Sequence, residues 1–255
     1  MKASFTNLLF CALLSLLFFP SSVSAQNISP DVFKNLKYRF IGPDGNRAIA
    51  ITGEVGNPNV AYIGAASGGI FKTEDAGINW TSIFDNQEVS SVGSLAISSS
   101  DPKQVWAGTG ETFVMRPAHS VGIGIFKSND AGKTWKNMGL EKTGRIGRVI
   151  VHPTNPDIVY ACALGHVYGP QQERGVYRTK NGGKTWEKVL FINENTGAID
   201  LSMDAANPDI LYAGMWQINI NTWGLRSGGT SGGVYRSKDG GTTWEPLNEK
   251  IFGKK

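Results

Sequence analysis

Ser128-Asn129-Asp130-Ala131-Gly132-Lys133-Thr134-Trp135 is one of four copies of the pattern Ser/Thr-x-Asp/Asn-x-Gly-x-x-Trp in this 255-residue chain. The others are Thr73 to Trp80, Thr179 to Trp186 and Ser237 to Trp244. The four tryptophans stand 55, 51 and 58 residues apart. A unit recurring at about 50 residues points to stacked or radial repeats rather than a single-core globule.

A second pattern travels with the first, at Asn57-Pro58, Asp101-Pro102, Asn155-Pro156 and Asn207-Pro208. Asn-Pro and Asp-Pro open turns, and the β-branched and aromatic residues that follow favour a strand. Each unit then divides into four short strands. Strand A precedes the proline turn (Ile49 to Gly53 in the first unit), strand B follows it, strand C is of the Gly-Ile-Phe-Lys type, and strand D starts at the motif tryptophan. Four-stranded units around an axis make an all-β propeller, which leaves only short sheet edges. The 32 glycines, 11 prolines and 10% aromatic content suit such a turn-rich chain.

The octapeptide becomes the C–D hairpin turn. Asp75, Asp130, Asn181 and Asp239 accept backbone N–H groups across the turn, the glycine supplies positive φ, and Trp80, Trp135, Trp186 and Trp244 pack into their blades. Asn181 brings no charge, so the position reads as structural rather than as a metal ligand or catalytic acid. The three histidines have no metal-binding spacing, and no cofactor is expected.

The segment 1–25 reads as a cleaved signal peptide: Lys2, an apolar run from Leu8 to Phe19, and Val23-Ser24-Ala25 before Gln26. A short linker, 26–35, precedes a propeller arc over 36–255, with blades at about 47–85, 91–140, 145–191 and 197–248. The exported protein keeps Cys162 alone, without a disulfide partner. No second long apolar run follows, so no membrane span is expected. Net charge is +4 with basic residues scattered, which excludes a nucleic-acid patch. Tyr38-Arg39-Phe40-Ile41 resembles a strand D without its A, B and C. The ring is therefore expected to be incomplete, with further blades or a second propeller required.

The B–C loops are expected to carry function, because long loops on a repetitive scaffold usually do. They hold Glu111, Arg116 and His119 in the second unit, Tyr168 in the third, and Trp216 and Trp223 within a loop from Met215 to Ser231 in the fourth. The aromatics suit stacking on sugar rings or clamping an extended peptide. Arg47, Arg145 and Arg148 fall in register on strand A, where they make either a basic channel mouth for an anion or salt bridges between blades.

The octapeptides resemble the Asp-box, or bacterial neuraminidase repeat. With the Asn-Pro strands, the region from Leu36 to Leu247 is similar to the propellers of sortilin and vacuolar sorting receptors and of xyloglucan-degrading glycosidases. That resemblance implies export and either a binding or a hydrolytic role. A sialidase-like reading finds only a loose echo of the arginine motif in Arg39-Phe40-Ile41-Gly42-Pro43, and no tyrosine nucleophile. A xyloglucanase-like reading implies an aspartate where this chain has Ala66, and a second carboxylate from another propeller. Glycoside hydrolysis needs a carboxylate pair, and Glu111 and Asp200 are the weak candidates. The expected function is binding of a glycan or extended peptide through the B–C loop face. The alternative is a glycoside hydrolase or a fragment of one.

Overall fold

The computed structural model describes residues 29, 31, 34, 47–112 and 120–252. The expected signal peptide, the strand expected at Tyr38–Ile41, Arg116 and His119 lie outside them. All four blades belong to one unit, Ile41–Lys255. Every blade is an antiparallel sheet with its strands in sequence order. Blade 1 comprises β1 (Ala48–Gly53), β2 (Ala61–Ala65), β3 (Ile70–Thr73) and β4 (Thr81–Ser82). Blade 2 comprises β5 (Val92–Ile97), β6 (Val105–Thr109), β7 (Ile125–Ser128) and β8 (Lys136–Asn137). Blade 3 comprises β9 (Ile146–Val151), β10 (Val159–Ala163), β11 (Gly175–Thr179) and β12 (Glu187–Leu190). Blade 4 comprises β13 (Thr196–Met203), β14 (Leu211–Asn221), β15 (Gly224–Ser227), β16 (Gly233–Ser237) and β17 (Glu245–Pro246), and a short helix, α1 (Asn248–Phe252), follows.

The innermost strands β1, β5, β9 and β13 lie side by side in that order. Each carries a register shift near its start, at Ala48/Ala50, Val92/Ser94, Ile146/Arg148 and Ala198/Asp200. A bulge there bends the strand where the chain enters the blade. The apolar cores lie between blades. Tyr62, Ile70 and Phe84 of blade 1 pack with Val92, Val105 and Phe126 of blade 2. Trp106 and Ile125 pack with Ile146 and Val159 across the next joint. Tyr160, Cys162 and Val176 pack with Leu201, Leu211 and Met215 across the third. Cys162 is fully buried, and burial pushes its thiol pKa far up, leaving it an inert small side chain.

The octapeptides form four superposable turns. Oδ1 of Asp75, Asp130, Asn181 and Asp239 accepts the backbone N–H four residues on, at 2.8, 2.8, 3.0 and 2.9 Å. The hydroxyl two residues before each acid accepts the motif glycine N–H at 2.8–3.0 Å. Two successive residues take positive φ: Ala76 at 58° and Gly77 at 86° in the first copy, Ala131 at 58° and Gly132 at 90° in the second. The backbone N–H of Ala76, Ala131, Gly182 and Gly240 donates to Asn59, Lys103, Asp157 and Asp209, which puts each turn beside the A–B turn of its own blade. On the opposite face the B–C and D–A connections meet, as in Gly69 N–H to Ser90 O and Gln171 N–H to Glu194 O.

Two expectations are corrected here. Strand D begins one residue after the tryptophan, because that residue still belongs to the turn. Trp135 and Trp186 also do not pack solely within their own blades. Their indole N–H groups donate to Ile83 O (2.9 Å) and Met138 O (2.8 Å) of the preceding blade. Trp135 meets Phe84 edge-on at 5.2 Å. Trp135 and Trp186 are thus pins across their joints.

The box carboxylates predict an acid limb of stability. Hydrogen bonds from the Thr134 hydroxyl and N–H hold Asp130 down at about 2, and those from Thr243 and Ser237 do the same for Asp239. The Asn79 N–H groups lower Asp75. A carboxylate depressed below its unfolded value stabilises the fold fully above about pH 4, and that contribution is lost as pH falls through the folded value. The melting temperature is therefore expected to fall progressively from pH 4 to pH 2. In Asp130→Asn this decline is shallower while stability at pH 7 is largely kept, since Asn181 already makes the same turn.

Candidate functional site

Two concave regions lie beside the described residues that the sequence singles out for binding or catalysis. The axial cavity, about 770 Å³, is lined by the inner strands, with Arg47, Ile51, Leu95, Thr112, Arg148 and Asp200 among its walls. The second region lies on the B–C loop face of blades 3 and 4.

At the axial cavity the arginines do not form an open basic mouth. Arg47 donates to Glu111, whose carboxylate is buried, so this ion pair ties blade 1 to blade 2. Arg148 lies 3.5 Å from Asp200, an exposed pair between blades 3 and 4. The two weak catalytic candidates are thus both engaged by arginines. Arg145 corrects the expectation outright, being fully buried among the loops. Its Nε donates to Glu111 O (2.9 Å), and its Nη1 donates to His166 O (2.6 Å) and Gly165 O (3.4 Å). Burial lowers its pKa, with Tyr168 acting the other way.

Arg174, which the repeat pattern does not single out, is the matching clamp on the other side of the blade 3 loop. Its Nη1 donates to Asn195 O (2.8 Å) and Ile218 O (3.1 Å), and its Nη2 to Gly169 O (3.0 Å). Burial pulls its pKa down to about 10. Two buried cations thus hold the backbone of one loop from both ends. Gln171 completes the frame, accepting from His166 N–H (2.8 Å) and donating to Lys142 O (2.5 Å). Burial and the two neighbouring guanidinium groups lower the His166 pKa, which keeps the ring neutral at pH 7.

That frame sets Tyr168 outward. Its ring is half-exposed, stacked on His166 at 6.5 Å and 9°, with the Arg145 guanidinium 5.5 Å beneath. The neighbouring blade 4 connection is not the loop expected from Met215 to Ser231. Strand β14 runs on to Asn221 and pairs with β15 as a projecting hairpin. The alternation Trp216-x-Ile218-x-Ile220 carries that signal. Ile218 and Ile220 bury against Leu164 and Val167, with Trp216 packed beside them. The Ile220 N–H donates to Val167 O (2.8 Å), locking hairpin to loop. The Trp216 indole donates to Ser227 Oγ (3.0 Å), so Trp216 supports the hairpin rather than presenting itself. At the tip, Asn221 Oδ1 caps the Trp223 and Gly224 N–H groups, and Trp223 stands 93% exposed. Tyr168, Ile220, Asn221 and Thr222 line a hollow of about 390 Å³. A second hollow, of about 320 Å³, lies along the hairpin by Gln217, Asn219 and Arg226. Among the described residues no group of three His, Cys, Asp or Glu could hold a metal ion.

Four-stranded blades in sequential order, with box turns on one face and unequal loops on the other, define an Asp-box β-propeller. The chain belongs to the Sortilin-Vps10 family, whose model (Sortilin, neurotensin receptor 3) matches residues 124–253. It is also similar to a xyloglucanase from a Paenibacillus species, 26% identical over 88% of this chain and 23% of that protein. A xyloglucanase from Acetivibrio thermocellus is 24% identical over 97% of this chain and 31% of its own length. The chain thus spans under a third of the curated relatives it matches. Among solved structures it resembles an ancestral GH74 enzyme (TM-score 0.60, 18% identity, 82% of this chain and 26% of that one). It also resembles the GH74 xyloglucanase of Xanthomonas campestris (TM-score 0.55, 18% identity, 80% and 30%). The chain is a propeller related to glycoside hydrolases.

Proposed function

We propose that this is an exported propeller that binds a polysaccharide on its B–C loop face without cleaving it. The observation carrying this reading is Trp223, almost wholly exposed on a braced hairpin beside the Tyr168 ring. A large apolar ring held in water by ordered structure suits a partner with an apolar face, and the axial faces of a pyranose offer one. Asn219, Asn221, Thr222 and Arg226 supply hydroxyl partners along the same edge. The likeness to xyloglucanases makes a β-glucan the class to try first. Against hydrolysis stand the engagement of Glu111 by Arg47, that of Asp200 by Arg148, and Ala66 at the position where the resemblance implies an aspartate.

Calorimetric titration with xyloglucan oligosaccharides is expected to give saturable binding with no new reducing ends. Trp223→Ala and Tyr168→Ala each weaken it about tenfold, the scale of one aromatic contact. Reducing ends released by the wild type and lost in Glu111→Gln would sink the binding-only reading. They would favour the hydrolase instead, with its second carboxylate supplied by sequence outside these 255 residues.

A further inference from the structure

The blade 3 loop, 165–174, holds the one β-branched residue with a left-handed backbone among the described residues. Val167 has φ 63°, where the other non-glycine cases are Ala76, Ala131 and Leu140. Such a conformation persists only where its surroundings impose it, and it gathers at functional elements. Here the surroundings come from blades on both sides of the loop, and both belong to this chain. The Val167 side chain is fully buried against Ile218 and Ile220 of blade 4. Arg145 joins the His166 carbonyl to the Glu111 carbonyl of blade 2.

The turn at Val167 brings residues 166 and 168 together. It lays their rings parallel and points the Tyr168 N–H at His166 Nδ1, 3.4 Å away. A backbone N–H can only donate, so Nδ1 is the bare nitrogen and the proton of the neutral ring sits on Nε2. A second proton would face the Tyr168 N–H donor to donor. The bond that orders Tyr168 therefore exists only while His166 is neutral. The same device recurs in the A–B turns. His152 Nδ1 accepts the N–H groups of Thr154 and Asn155, and in blade 4 Asp204 Oδ1 accepts those of Ala206 and Asn207. An oxygen at the δ1 position thus fills the role, and an amide oxygen fills it without taking up a proton.

Besides the stacked Tyr168 phenol, the groups facing His166 are Arg145, Arg174 and Glu173, of which Glu173 alone favours a proton. Both guanidinium groups are buried and held by backbone carbonyls, so neither swings away. Desolvation first, and then these two cations, keep the ring below the ordinary histidine value of about 6.5. On the elements packed behind, Glu141 and Lys142 of the Glu141–Thr143 turn and Glu194 of the connection to β13 are exposed. Glu111 is taken up by Arg47, and the hairpin adds Arg226, which is exposed too.

We propose that His166 is a proton switch on the binding face: neutral, it holds Tyr168 in place for the glycan, and protonated, it frees the Tyr168 ring, so that the glycan is released in acid. His166 is a positioning residue in this role, and the inference rests on the glycan reading above. Proton and glycan compete, and the competition is reciprocal. Affinity falls by up to about tenfold for each pH unit below the His166 value of the free protein, until the still lower value of the bound protein is reached.

Two measurements on the full chain test it. In an NMR titration of the free protein from about pH 7.5 to about pH 4.5, the Tyr168 amide signal is expected to move with the His166 imidazole signals, at one shared midpoint below about 6.5. Calorimetry with xyloglucan oligosaccharides over the same range is expected to give an affinity that is flat above that midpoint and at least about tenfold weaker at the acid end. His166→Asn puts an amide oxygen where Nδ1 stands, so the ratio of its affinities at the two ends falls to about one, whatever its strength at neutral pH. A Tyr168 amide that ignores the His166 titration, a wild-type affinity that stays flat, or a pH dependence that survives in His166→Asn overturns the switch and leaves the glycan reading intact. Oligosaccharides that fail to bind even at neutral pH defeat the glycan reading and, with it, release in acid. The NMR arm alone then decides whether His166 governs the Tyr168 ring.

Discussion

Arg145→Met lowers the unfolding free energy by about 3–5 kcal/mol, the scale of removing one partner from a buried charged network. Methionine fills much of the space, so the cost does not arise from a cavity. It arises because Glu111 O, Gly165 O and His166 O lose their donor in a place water does not reach. Those carbonyls belong to the loops of two different blades, so the change loosens the blade 2–blade 3 joint and the blade 3 loop together. The Tyr168 ring also loses the guanidinium beneath it. Polysaccharide binding should therefore fall with stability, beyond the loss produced by Tyr168→Ala. Arg148→Met is the control. Its partner Asp200 is exposed and 3.5 Å away, so the pair is worth under about 1 kcal/mol. Urea unfolding of the two variants side by side separates them. Similar values for both would show that Arg145 is not the clamp its hydrogen bonds make it.

The contrast between these two arginines shows where sequence reading stops. The four blades of this chain, their strand order and the placement of the box turns away from the long loops were all legible, because four copies of two motifs fix a common register. The channel-or-loop question was not legible. Arg145 and Arg148 stand three residues apart on either side of a bulge, and no local pattern says which one turns into the loops. The acceptors that bury Arg145 are backbone atoms of Glu111, Gly165 and His166, brought together only by the packing of successive blades. Arg174 falls within the third B–C loop, but its role as a clamp was not legible for the same reason. The blade 4 hairpin was different: its period-two alternation from Trp216 to Ile220 was present and was masked by the reading of everything between β14 and β16 as one loop.

Trp106→Ala is expected to cost about 3–5 kcal/mol, at the upper range for a buried aromatic. The ring is sealed on both sides, by Lys127 with its Nζ 4.9 Å from the ring centroid and by Trp186 edge-on at 6.2 Å. Burial lowers the Lys127 pKa, while Asp157 and Asp101 hold its charge. Truncation leaves a cavity next to Gly183, a residue that can offer no side chain to fill it. The same substitution at the equivalent Tyr212 removes a ring that is already 39% in water, so it should cost under about 1.5 kcal/mol at low protein concentration. The pair thus measures how much of the stability resides in blade-to-blade joints rather than within sheets. Urea denaturation curves of the two variants taken side by side read that difference.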